Sequence, residues 1–109
     1  MQIAILAGSN RRESASTRMT RYLQTRISAL GHTAKLFDLR ENPLPLYDPD
    51  SDEPTSAVLE LDRLMRMSDA IVLATPEYHG TISGVLKNAL DYLGSEHFDG
   101  KAVLSVTPA

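Results

Sequence analysis

Hydrophobic positions along the chain recur in two rhythms, short unbroken runs and longer stretches with helical spacing. Gln2 to Ala7 is an apolar run that stops at Gly8, the pattern of a strand buried on both faces. Met19, Tyr22, Leu23, Ile27 and Leu30 then fall on one helical face, with Gly31 placed to stop the helix. "TAKLFDL" follows, and its partly alternating polarity suits an edge strand. Val58, Leu61, Leu64 and Met65 give a second helical face, with Thr55 or Ser56 as N-cap. "DAIVLA" reads as a third strand. "ISGVLKNALDYL" sets Ile82, Val85, Leu86, Ala89, Leu90 and Leu93 on one face, and "KAVLSV" from Lys101 to Val106 is a fourth strand.

Strand and helix alternate strictly, which predicts an α/β fold, a doubly wound parallel sheet with helices on both faces. A chain of 109 residues has room for a single domain, 1–109. Ligands of such sheets bind beyond the carboxyl ends of the strands, where strand order reverses. Two connections there carry chemistry: "GSNRRESAST" after the first strand and "TPEYHG" after the third.

Composition narrows the classes. With 42% hydrophobic and 23% charged residues, a folded soluble protein is expected. Cysteine is absent, which excludes disulfides, thiolate metal sites and a cysteine nucleophile. The opening apolar run is too short for a signal peptide, and no run approaches a membrane span, so a cytoplasmic location is expected. Residues 1–40 hold seven basic and two acidic side chains, whereas residues 41–62 hold seven acidic and no basic ones. Arg18, Arg21 and Arg26 sit among helically spaced apolar positions and read as a solvated helix face, not a nucleic-acid surface. The acidic stretch "ENPLPLYDPDSDEP" reads as a surface loop.

The first loop supplies Gly8, hydroxyls at Ser9, Ser14, Ser16 and Thr17, and two arginines ahead of a helix N-terminus. Free amides, the helix dipole and hydroxyl donors make an anion site. The plainer alternative is a loop whose serines only cap the helix. The loop lacks the lysine and closing glycine of a Walker motif and is not GxGxxG. In the second loop Pro76 stiffens the backbone, Gly80 permits close approach, and Tyr78 offers a stacking surface. Glu77 and His79 invite an acid–base role, but neighbouring loop residues generally point apart and no nucleophile is spaced to pair with His79. His32, His79 and His97 lack metal-ligand spacing, so no metal is expected.

Together the loops resemble those of the NADPH-dependent FMN reductases, flavodoxin-like proteins that include quinone and azo-dye reductases. "GSNRRESAST" is similar to the family's G-S-x-R-x-x-S phosphate loop, and "PEYHGTISGVLKNALDYL" to its P-E-Y-N/H-G-x-x-x-x-x-L-K-N-A-x-D motif. "LPLYDPD" resembles the connection after the family's second strand. The resemblance implies strand order 2-1-3-4, which makes the two loops neighbours at the switch point. It implies that Ser9, Arg11, Ser14 and Ser16 or Thr17 hold the FMN phosphate, with Ser14, Ser16 or both in contact because "ESASTR" carries one residue more than many relatives. It implies that Pro76, Glu77, Tyr78, His79 and Gly80 surround the flavin ring, and that Lys87 and Asn88 serve packing and loop capping. Asp91 and Tyr92 are expected to face a partner subunit.

The implied chemistry is hydride transfer from NADPH, as co-substrate, to bound FMN, then transfer to a flavin, quinone or azo acceptor. The cofactor carries the reaction, so no side chain is expected to be catalytic. A homodimer or homotetramer is implied as well. The resemblance implies a fifth strand, two last helices and a third cofactor loop after "SVTPA", where the given sequence stops, so a chain truncated relative to the family's fold is expected. Loss of that loop bears on NADPH turnover more than on phosphate binding. The competing functions are a flavin-binding electron-transfer module without NADPH turnover, and an inactive fragment.

Overall fold

The structure, a computed structural model, describes residues 1–9, 15–76 and 82–107. Four strands, β1 (Gln2–Ala7), β2 (Thr33–Asp38), β3 (Ala70–Ala74) and β4 (Ala102–Val106), form a parallel sheet in the order β2-β1-β3-β4. The chain starts inside the sheet, lays β2 on one side of β1, and crosses over to place β3 and β4 on the other. This is the flavodoxin-like winding read from the alternation and the resemblance, and its switch point lies between β1 and β3.

Register explains the layers. Leu6 lies level with Phe37 and Leu73, and Ala4 with Ile71, so these side chains share one face. The helices α2 (Ser56–Met67) and α3 (Gly84–Asp91) cover that face, burying Leu61, Met65, Leu86 and Ala89 against it. α1 (Ala15–Ala29) lies along β1, β2 and β3. The right-handed crossovers put it on the opposite face, over Ile5, Ala7, Val72 and Ala74.

Local chemistry fixes the helix ends. α1 stops with Gly31 at φ +89°, where the Gly31 amide donates to the Ser28 carbonyl (3.0 Å) and the His32 amide to Ile27 (3.2 Å). That is a Schellman turn, which glycine adopts without strain. Of the two candidate caps, Thr55 takes the role: its hydroxyl accepts from the Val58 amide at 3.3 Å. α3 starts at Gly84 under a Ser83 cap, so Ile82 falls outside the helix and is exposed. A short helix the pattern did not suggest, α4 (Ser95–Phe98), precedes β4.

The expected face of α1 is rotated. Ser16, Thr17 and Thr20 are buried and Met19, Leu23, Gln24 and Ile27 partly so, while Tyr22 and Leu30 are 64% and 70% exposed. Small hydroxyl residues let the first turns sit close to the sheet. The Thr20 hydroxyl satisfies itself on the Thr17 carbonyl at 2.7 Å, leaving its methyl to pack. β4 is bare among the described residues: Val103 and Leu104, on opposite faces, are 45% and 57% exposed.

Candidate functional site

The carboxyl ends of β1 and β3 run directly into the two loops singled out by sequence, and they share one base. The Gly8 amide donates to the Ala74 carbonyl at 2.7 Å. The Gly8 carbonyl accepts from the buried Ser83 hydroxyl. The same hydroxyl accepts from the Leu86 amide at 3.2 Å as the cap of α3. The Ser83 amide donates to the Thr75 hydroxyl at 3.1 Å, and that hydroxyl donates to the Pro76 carbonyl at 2.9 Å. A Cβ on Gly8 would stand 2.9 Å from Leu86 Cβ and 3.1 Å from the Ala74 carbonyl oxygen, so only glycine allows this approach.

Of the phosphate-loop residues, Ser9, Ser16 and Thr17 are described and all three are buried. Ser9 and Thr17 have partners. Ser16, at the second position of α1, is 1% exposed, and its hydroxyl has no hydrogen-bond partner. An unsatisfied hydroxyl is rare inside a protein and calls for an explanation. Here it stands in the first turn of a 15-residue helix, where free amides and the dipole favour an anion. Asn10, Arg11, Arg12, Glu13 and Ser14 lie outside the described residues.

Pro76 is described and partly buried at the end of β3, whereas Glu77, Tyr78, His79 and Gly80 lie outside the described residues. The donor set that is described, hydroxyls and a helix N-terminus without a carboxylate, fits a phosphate group. Asn88 holds a loop: its amide donates to the Pro45 carbonyl (2.9 Å) and its oxygen accepts from the Tyr47 amide (2.8 Å). Tyr92, expected to face a partner, donates its hydroxyl to the same Pro45 carbonyl at 2.7 Å within the chain. Asp91 is exposed and pairs with Lys87 at 2.5 Å.

Sequence reasoning passed over Thr75 and Ser83. Thr75 opens the second loop with no role legible from its position in the sequence. Ser83 carried a readable signal, a serine just before a helical apolar pattern. A cleft of about 370 Å³ lies elsewhere, between the acidic loop, the start of α2 and Tyr92, lined by Tyr47, Asp48, Asp52, Glu53, Val58 and Tyr92. None of its described lining residues belongs to the β1–α1 or β3–α3 connection. Among the described residues no three His, Asp or Glu side chains group to hold a metal, and no helix is long and apolar enough to cross a membrane.

A four-stranded parallel sheet in this order, with an anion-ready first loop at the switch point, defines a flavodoxin-like α/β protein. The whole chain, residues 1–109, matches the family described as NADPH-dependent FMN reductase, and the chain belongs to that family. It is 36% identical over 104 residues to an NADPH azoreductase of Bacillus sp. (strain OY1-2), covering 94% of this chain and 56% of that protein. It is also 36% identical over 108 residues to the FMN-dependent NADPH-azoreductase of Staphylococcus aureus, covering 94% and 57%. A solved flavoenzyme, the NAD(P)H:(acceptor) oxidoreductase FerB from Paracoccus denitrificans, superposes with a TM-score of 0.81 at 28% identity, over 99% of this chain and 60% of FerB. The chain thus spans a little over half the length of the curated relatives it matches.

Proposed function

We propose that residues 1–109 form one FMN-binding unit and act as an NAD(P)H-dependent oxidoreductase. Family membership supports the class of reaction. The orphaned Ser16 hydroxyl is the observation that carries the cofactor, because a phosphate oxygen at the start of α1 supplies the partner it lacks. Ser9, Arg11, Ser14, Ser16 and Thr17 hold that phosphate. Pro76, Glu77, Tyr78, His79 and Gly80 line the ring end of the site. Bound FMN would supply hydride acceptance from NADPH and delivery of electrons to a flavin, quinone or azo acceptor. This chain's own residues bind and orient, and none is assigned as acid or base.

Cytoplasmic residence belongs to the same reading, since reduced nicotinamide is supplied there. So does self-association into a homodimer or homotetramer, which the resemblance to the family suggests. The test begins with FMN added to the purified chain, followed by flavin fluorescence quenching and visible circular dichroism. Saturable binding is expected, and then NADPH oxidation with an azo dye as acceptor. A folded sample that leaves FMN free would overturn the reading. Binding without NADPH oxidation would reduce the protein to a flavin carrier.

A further inference from the structure

We propose that Ser83 and Thr75 are positioning residues that lock the two cofactor loops at a fixed spacing, an inference that rests on the FMN reading above. Each hydroxyl is buried, and each both donates one hydrogen bond and accepts one. Thr75 closes the base of the second loop by joining Pro76 to Ser83, eight residues apart along the chain from Thr75. Ser83 then ties that base to Gly8, 75 residues away, at the start of the first loop. The Thr75 amide donates to the Val106 carbonyl at 3.1 Å, anchoring the same strut to β4. No cap of α3 needs the Gly8 bond: accepting from Leu86 suffices for that. The bond to Gly8 joins the first loop to the second.

FMN is long enough to be held at its phosphate by one loop and at its ring by the other. A second grip adds affinity only when both grips stand at the spacing the ligand requires. Riboflavin has the ring without the phosphate and engages one end. Freeing the loops from each other therefore weakens FMN far more than riboflavin. A substitution that merely loosens the fold weakens both alike.

The experiment compares the full chain with its Ser83→Ala, Ser83→Thr and Thr75→Val variants. Flavin affinities are read by fluorescence, and backbone opening by hydrogen exchange. Ser83→Ala is expected to weaken FMN about tenfold, the size of one lost buried hydrogen bond, and riboflavin less than about twofold. Ser83→Thr keeps donor and acceptor and returns FMN affinity to the wild-type range. Thr75→Val, nearly the same shape, moves in the direction of Ser83→Ala and covers the case in which that variant does not fold. Exchange is expected to quicken at Gly8 and Ser9 as well as at Ser83. Equal loss for the two flavins, or faster exchange confined to Leu86 and Lys87, would overturn the proposal and leave Ser83 a helix cap. If the wild-type chain binds neither flavin, the FMN reading fails. Hydrogen exchange alone then decides the strut, on the same two outcomes.

Discussion

Ser16 is costly to the ligand-free chain. A hydroxyl buried without a partner lowers stability by about 1–3 kcal/mol, and Ser16 is in that position at the start of α1. Replacing it with alanine removes the unsatisfied group and supplies a better helix former. The ligand-free Ser16→Ala variant should therefore unfold at an equal or higher denaturant midpoint than wild type. Its FMN affinity should fall about five- to tenfold, the loss of one hydrogen bond to a charged group. Stability and binding moving in opposite directions is the signature of a group kept for a ligand. A variant that loses stability and keeps its FMN affinity would make Ser16 a packing residue. The sequence made Ser16 visible because hydroxyls ahead of a helix advertise anion binding on their own. It could not reveal the Ser83 bond to Gly8, because the partner is 75 residues away and depends on where β1 meets α3.

Among the elements, α4 shows why sequence periodicity has a lower size limit. Four residues hold no period, so its only signal was His97, which reads as an isolated histidine. In the fold His97 is buried and works at both ring nitrogens. Its Nδ1 accepts from the Gly94 amide at 3.0 Å, which places the proton on Nε2, where it donates to Asp62 Oδ1 at 2.7 Å. α4 is thereby clasped to α2. That hydrogen bond holds the Asp62 carboxyl below its ordinary value, against the opposing effect of burial, and the bond and charge of Arg66 at 3.0 Å add to it. A carboxyl with a lowered folded pKa contributes stability above its unfolded value and loses it as pH falls through the folded one. Asp62→Asn keeps an acceptor for His97 and removes the charge. Denaturant melts should show wild type ahead of this variant near neutral pH, with the gap closing as pH drops below about 4. A gap unchanged down to about pH 2.5 would remove the carboxylate charge from the account. The rotation of α1 was illegible for a related reason. Hydrophobicity alone puts Tyr22 and Leu30 on the inner face, but both are exposed, while Thr20, its hydroxyl satisfied on the Thr17 carbonyl, is buried.

At the scale of the molecule, alternation of strand and helix was enough for a parallel sheet. Strand order came from the resemblance, since periodicity carries no information about which strand neighbours which. The order matters most at β4. Parallel strands are found with both faces covered, yet Val103 and Leu104 project from opposite faces of β4 and both are open. Among the described residues the edge beyond β4 is unpaired in the sheet as well, an invitation to another strand. The proposed homo-oligomer would place its contact on β4, and that contact would bear on the site because Val106 receives the Thr75 amide. Sedimentation at tens of micromolar chain should give a dimer or larger species. Val103→Lys and Leu104→Glu should shift it toward monomer. Because both side chains are already exposed in the single chain, each change should alter the stability of that chain by no more than about 0.5 kcal/mol. A charge at β4 that dissociates the assembly and also weakens FMN would show that the site is braced from the covered side of β4. Dissociation with FMN affinity intact would make each chain a complete cofactor site. A wild-type chain that sediments as a monomer up to the highest soluble concentration would leave β4 open in solution, and the homo-oligomer would have to be given up.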